Sequence, residues 1–80
     1  MYYVYILQSI NFPQEHYVGY SENLQSRLTT HNAGGSTHTK KFKPWKLTCY
    51  FGFEKEKIAR QFEHYLKTGS GRAFMKKHFL

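Results

Sequence analysis

An alternation of aromatic and β-branched side chains opens the chain and limits what it can fold into. Residues 2–8 read Tyr-Tyr-Val-Tyr-Ile-Leu-Gln, a composition that favours a strand. Period-two geometry sends Tyr3, Tyr5 and Leu7 to one face and Tyr2, Val4 and Ile6 to the other. Asn11-Phe12-Pro13-Gln14 reads as a loop, after which His16-Tyr17-Val18-Gly19-Tyr20 returns as a second, antiparallel strand. Such a hairpin brings Tyr5 near Tyr17. With 80 residues in all, the chain has room for one small domain burying roughly 60–65% of its unfolded surface. That size excludes a Rossmann dinucleotide domain, a TIM barrel and a lid-and-core enzyme. The core is expected to draw much of its burial from large rings, since 19% of the residues are aromatic.

The period then changes. Ser21 is expected to cap a helix over about residues 22–32, with Leu24 and Leu28 on its apolar face. Arg27 and His31, four apart, lie side by side next to that face. Gly34-Gly35 stops the helix, Pro44 argues against regular structure in the segment before it, and residues 46–53 form a third strand. Residues 55–67 are helical, with Ile58, Ala59, Phe62 and Leu66 as the buried stripe and Glu63 at its edge. Gly69-Ser70-Gly71 is expected to break the chain, Ser70 capping a last helix over 72–79 with Phe74 and either His78 or Phe79 inward. The order is β-β-α-β-α-α, an α/β (α+β) layer with helices covering a sheet, in one domain over 1–80.

Charge is unevenly placed. The chain carries a formal +7, yet residues 1–35 hold only Arg27 against Glu15 and Glu22, a net −1. Residues 36–80 hold the other 11 basic residues against Glu54, Glu56 and Glu63, a net +8. Lys40, Lys41, Lys43 and Lys46 form the densest run, interleaved with Phe42 and Trp45 and preceded by His38. Such a run is either a solvated loop or a phosphate-contacting one. An acidic partner is expected, nucleic acid before an anionic membrane surface. Cys49, the one cysteine, packs in the third strand and excludes a disulfide or a multi-cysteine zinc site. The remaining histidines form no spaced zinc motif. No apolar run approaches membrane-spanning length and no secretory leader opens the chain, so a cytoplasmic location and no membrane partner are expected.

Tyr5, Tyr17, Arg27, His31 and Glu63 form a set with a chemical logic. Phosphodiester hydrolysis needs a proton acceptor for water, positive charge for the phosphate, and usually a metal. Arg27 offers a fork of donors to phosphate, Glu63 an oxygen ligand for Mg²⁺, and His31 or a tyrosine a proton acceptor. Each residue also has an ordinary structural use. The tyrosines can be core with satisfied hydroxyls, Arg27 a surface charge, and His31 a helix C-terminal residue stabilised by the dipole. Glu63 can pair with Lys67 or Arg60 across a turn, and Gly19 can be a permissive strand-end glycine. Gly69-Ser70-Gly71 can bind phosphate through backbone N–H groups or form a helix–helix corner. Spacing alone leaves these alternatives open.

Four ordered blocks resemble the GIY-YIG nuclease domain, in its small single-domain bacterial branch. They are Val4-Tyr5-Ile6, Tyr17-Val18-Gly19, the run from Asn23 through Arg27 and His31 to Asn32, and the run from Phe62-Glu63 through Gly69 to Arg72 and Phe74. The resemblance implies a three-stranded antiparallel sheet flanked by helices, and DNA cleavage with one divalent metal, Mg²⁺ or Mn²⁺. It implies Tyr17 as general base or its close partner, with Tyr5 supporting it or positioning the water. Arg27 would clamp the scissile phosphate, His31 assist proton transfer, and Glu63 hold the metal. Gly19, His38, Lys40, Lys41, Lys43, Lys46 and Arg72 are expected to contact nucleic acid. The chain departs from the pattern at Val4, which stands for a glycine, and lacks a distal asparagine. Tyr20 stands where several members place a lysine that acidifies the catalytic tyrosine, which leaves that work to His31 or Arg27. The expected activity is an endonuclease on duplex or branched DNA in repair or recombination, directed by a targeting protein. The alternative is a nucleic-acid-binding module with weak or lost catalysis.

Overall fold

The computed structural model describes all 80 residues. Its elements are β1 (Tyr2–Ser9), β2 (His16–Ser21), α1 (Leu24–Asn32), a 3₁₀ turn (Lys40–Phe42), β3 (Trp45–Phe53), α2 (Glu56–Leu66) and α3 (Gly69–His78). The β-β-α-β-α-α order and the three-stranded antiparallel sheet match the expectation. The sheet order is β2-β1-β3, so the first strand is central and needs cover on both faces. Its period-two pattern supplies that. Val4 and Ile6 join Val18, Ala59, Leu66 and Met75 in a core beneath α2 and α3. On the opposite face Tyr5 and Leu7 join Trp45, with Leu24 and Leu28 of α1 and Phe42 of the connecting segment packed against them.

Four local expectations need correction. α1 is capped by Asn23, whose Oδ1 accepts from the Ser26 N–H at 3.0 Å. Ser21 is still paired with Tyr3 in the sheet; its hydroxyl instead accepts from the Asn23 N–H at 2.8 Å. α3 starts at Gly69, two residues before the expected break ends, because Thr68 rather than Ser70 caps it by accepting from the Gly71 N–H at 3.1 Å. Gly71 lies in the helix against the end of α2, where a Cβ would overlap the Tyr65 carbonyl oxygen, so this glycine serves close helix packing. Gly71 and Met75 are the buried α3 residues and Phe74 is partly buried against the core as expected, while His78 and Phe79 are exposed. Ile58 is exposed as well, because it sits at the flank of the Ala59–Phe62–Leu66 stripe. The predicted stop of α1 is present: Gly34 adopts φ +80°, and the Gly35 N–H closes back on the Thr30 carbonyl.

Candidate active site

The tyrosine pair follows from strand register. Tyr5 on β1 lies opposite Gly19 on β2, and Leu7 lies opposite Tyr17, so both phenols stand on the α1 side of the sheet. Tyr5 crosses the β2 backbone where Gly19 has no side chain; a Cβ there would overlap Cζ and Oη of Tyr5. The contact that the structure shows for Gly19 is therefore with the Tyr5 ring. The two phenol centroids are 6.4 Å apart.

The last turn of α1 delivers His31 to these rings. Its imidazole is fully buried, 4.9 Å from the Tyr17 ring centre and 6.0 Å from that of Tyr5. His31 Nε2 and Tyr5 Oη form a 2.9 Å hydrogen bond, and Nδ1 forms one of 2.7 Å with Thr39 Oγ1. Thr39 is itself fully buried and accepts the Trp45 indole N–H at its carbonyl, 2.8 Å away. Asn32, next to His31, clamps the Trp45 backbone by accepting its N–H and donating to its carbonyl. Helix α1, the following segment and the start of β3 thus hold the ring from several sides. Burial, and secondarily the Arg27 charge, lowers the His31 pKa below its ordinary 6.5, so the imidazole is neutral at pH 7. Burial raises the Tyr5 pKa above 10, opposed by nearby Arg27 and reinforced by Tyr17 and Glu63; the phenol is protonated at rest.

Arg27 stands one turn before His31 on α1. Its Nε is buried and has no hydrogen-bond partner, and no carboxylate lies within ion-pair distance of its guanidinium, the two ion pairs being Arg60–Glu56 and Lys67–Glu63. A guanidinium beside two phenols and an imidazole, with no carboxylate to neutralise it, leaves its charge available to an anion. Glu63 comes from α2. Its side chain is only 19% exposed and its Oε2 accepts from Lys67 Nζ at 3.0 Å, the pairing that spacing had left open, yet its charge is also felt at Tyr5. Lys67 stands over the Tyr17 ring, with Nζ 5.9 Å from its centre.

Tyr5, Tyr17, Arg27 and His31 are thus gathered on one side of the sheet, with Glu63 at the margin. The other nucleic-acid candidates lie outside this cluster. His38, Lys40, Lys41 and Lys43 are exposed on the segment joining α1 to β3, Lys46 is exposed at the start of β3, and Arg72 is exposed on α3, along a groove that Tyr17 and Lys67 also line. Tyr20 faces the α2 side, its ring 3.9 Å beneath the Arg60 guanidinium carbon, so the position expected to carry an acidifying lysine looks away from Tyr17. The cation at Tyr17 is Lys67. Two residues of the site thus went unread: Thr39, visible in sequence only as a polar neighbour of the lysine run, and Lys67, visible only as the residue four after Glu63.

No group of three or more His, Cys, Asp or Glu side chains is placed to hold a metal ion. Glu63 is a single hard oxygen donor at the edge of the cluster. That fits a magnesium-like ion, which keeps several waters and binds through one or two carboxylates plus substrate phosphate. It does not fit a preformed multi-ligand zinc centre. No helix is long and apolar enough to cross a membrane.

Comparison with known proteins agrees with this architecture. Residues 1–78 match the GIY-YIG catalytic domain. The chain is 41% identical over 71 residues to the structure-specific endonuclease subunit SLX1 of Debaryomyces hansenii, covering 80% of this chain and 20% of that protein. It is 40% identical over 67 residues to the SLX1 of Kluyveromyces lactis, covering 75% and 23%. A UPF0213 protein of Clostridium perfringens is 37% identical over 68 residues, covering 84% of this chain and 71% of that protein. The chain therefore spans about a fifth of the length of its SLX1 relatives. Eukaryotic and bacterial proteins both match, which supports the superfamily and not the bacterial branch in particular. The chain belongs to the GIY-YIG family.

Proposed function

We propose that the chain is a divalent-metal-dependent endonuclease that hydrolyses phosphodiester bonds in DNA. The observation that carries this reading is an Arg27 guanidinium with no carboxylate partner, on the helix that also supplies His31 to both tyrosines. A phosphate takes the place of that missing carboxylate, and the guanidinium stabilises charge as the phosphorus becomes five-coordinate.

The remaining roles follow from what each group is free to do. Both ring nitrogens of His31 are engaged, by Tyr5 and Thr39, and the ring is buried, so His31 acts through Tyr5 and not on water directly. Tyr17 is half-buried and lines the groove, and its hydroxyl makes no hydrogen bond within the protein; having released its own proton to solvent, it takes the proton of the attacking water as the phenolate. Lys67 supplies positive charge beside that phenolate, with Nζ 5.9 Å from the ring centre. Tyr5, tied to His31 and flanked by Arg27, positions the water and the phosphate. Glu63 is the residue that would hold Mg²⁺ or Mn²⁺, exchanging its bond to Lys67 for the ion. When bound, such an ion supplies Lewis-acid stabilisation of the phosphate and the leaving oxygen.

Lys40, Lys41 and Lys43, with His38, extend the grip along the backbone from the segment after α1, and Lys46 from the start of β3. Branched DNA is the favoured substrate, because the SLX1 relatives are named structure-specific endonuclease subunits; the word subunit also supports a partner protein. Nicking assays on supercoiled, linear duplex and branched DNA with Mg²⁺, Mn²⁺ or EDTA test the proposal. Metal-dependent incision, strongest on branched substrates, is expected. Salt-sensitive binding without incision under any metal would assign the chain to DNA binding alone.

A further inference from the structure

Tyr17 opens onto a groove of about 710 Å³ between the start of β2 and the corner of α2 and α3. Lys67, Arg72 and Lys76 line it together with the half-buried Tyr17 ring, the exposed Leu80 and the edges of Val18 and Met75. Arg72 and Lys76 are four apart on α3, so their side chains emerge next to each other. Neither has a carboxylate within 4.0 Å, since Lys67–Glu63 and Arg60–Glu56 are the protein's two ion pairs. Glu15 is the one acidic side chain in the lining and pairs with no cation there.

An apolar floor beneath unpaired cations favours a ligand with both characters. Inorganic phosphate or a bare polyanion would use the cations and leave Tyr17, Leu80 and the edges of Val18 and Met75 unused. A paired duplex brings phosphates to the cations but keeps its base faces stacked inside. A strand with unpaired nucleotides uses both surfaces, with phosphates on Arg72 and Lys76 and sugars or bases against the floor. We infer that this groove holds one unpaired DNA strand leading away from the catalytic cluster at Tyr17. The direction of the strand rests on the endonuclease reading above; the groove lies at the β2 edge of the sheet, whereas the lysine-rich segment leads into β3 at the other.

Fluorescence anisotropy in EDTA tests the groove without cleavage. The probes are a short labelled oligo(dT), a blunt duplex of the same length, and oligo(U). The double variant Arg72→Gln/Lys76→Gln is expected to bind oligo(dT) about tenfold or more weakly. Its log–log salt slope should be shallower by about 1.4, at about 0.7 per phosphate contact on a single strand, with a smaller loss on the duplex. Lys57→Gln, an exposed cation outside the groove, should change neither. An unchanged slope, an equal loss on duplex and single strand, or tighter binding of oligo(U) than oligo(dT) would overturn the inference. So would displacement of oligo(dT) by inorganic polyphosphate as readily as by unlabelled oligo(dT), since the floor would then contribute nothing. Because metal is absent, a chain that never nicks DNA counts against the endonuclease reading alone and leaves this test intact.

Discussion

Tyr5 and His31 stand 26 positions apart in the chain and meet through Oη and Nε2 at 2.9 Å. The pair joins the centre of the sheet to the last turn of α1, and Thr39 fixes the far side of the imidazole. Most of what the site can do depends on that joint being rigid, because a group that acts on a phosphate through a neighbour loses its effect when either shifts.

Thr39→Val removes the hydrogen bond to Nδ1 while keeping the side chain's shape. It leaves a buried ring nitrogen without a partner, which costs about 1–3 kcal/mol. Urea unfolding should show that loss, and single-turnover nicking should slow by about tenfold. Thr39→Ser, which keeps the hydroxyl, should restore the rate. A valine variant with wild-type rate would remove Thr39 from the site.

Gly19→Ala places a methyl group inside the space of the Tyr5 phenol. Overpacking of this kind costs about 1–3 kcal/mol, and relief requires the ring to move away from His31. Both stability and nicking are expected to fall, and a crystal structure of the variant should show a longer Tyr5–His31 separation. Gly52→Ala, where an added Cβ meets only ordinary contacts with Met1 and Tyr3, serves as the control.

Acid should weaken the fold through His31. Its folded pKa is lowered from 6.5 by burial and by Arg27, so above pH 6.5 the folded and unfolded states are both neutral at this residue. Below pH 6.5 the unfolded chain takes up a proton that the folded one refuses. Stability should therefore fall with decreasing pH until the folded pKa is reached, with a contribution of up to about 1.4 kcal/mol per pH unit. Urea midpoints across this range, compared with His31→Gln, isolate the contribution; identical slopes in the two proteins would contradict it.

Lys67→Gln removes the cation above Tyr17 and frees Glu63. Binding of DNA in EDTA should weaken modestly, while single-turnover nicking should fall by a larger factor if Lys67 supports the proton acceptor. Equal losses in both would make Lys67 a DNA contact only.

The fold was legible wherever burial follows a simple period. Residues 2–8 alternate, and both faces of β1 are covered as that alternation requires; Ala59, Phe62 and Leu66 repeat at helical spacing and pack inward. Errors arose where local chemistry competed. Ser21 and Ser70 carry good capping side chains, but Ser21 is committed to the sheet and Ser70 already lies in a helix started by Thr68. Gly71 reads as a break in isolation and as a contact once α2 lies against it. In the site, Arg27 and His31 share a helix face that spacing reveals. Thr39 and Lys67 reach their partners across a loop and across elements, which no local period encodes.

The central claim is that Arg27 and Glu63 serve one metal-dependent incision at the tyrosine cluster. The most direct measurement is single-turnover nicking of branched DNA by wild-type, Arg27→Ala and Glu63→Ala proteins in Mg²⁺, Mn²⁺ and EDTA, each protein first shown by circular dichroism to be folded. Wild type should cut only with metal, Glu63→Ala should lose metal-dependent cutting, and Arg27→Ala should lose about 3–4 kcal/mol of transition-state stabilisation, or roughly a few hundredfold in rate. Cutting by either variant at the wild-type rate, or no cutting by the wild type with any metal, would contradict the claim.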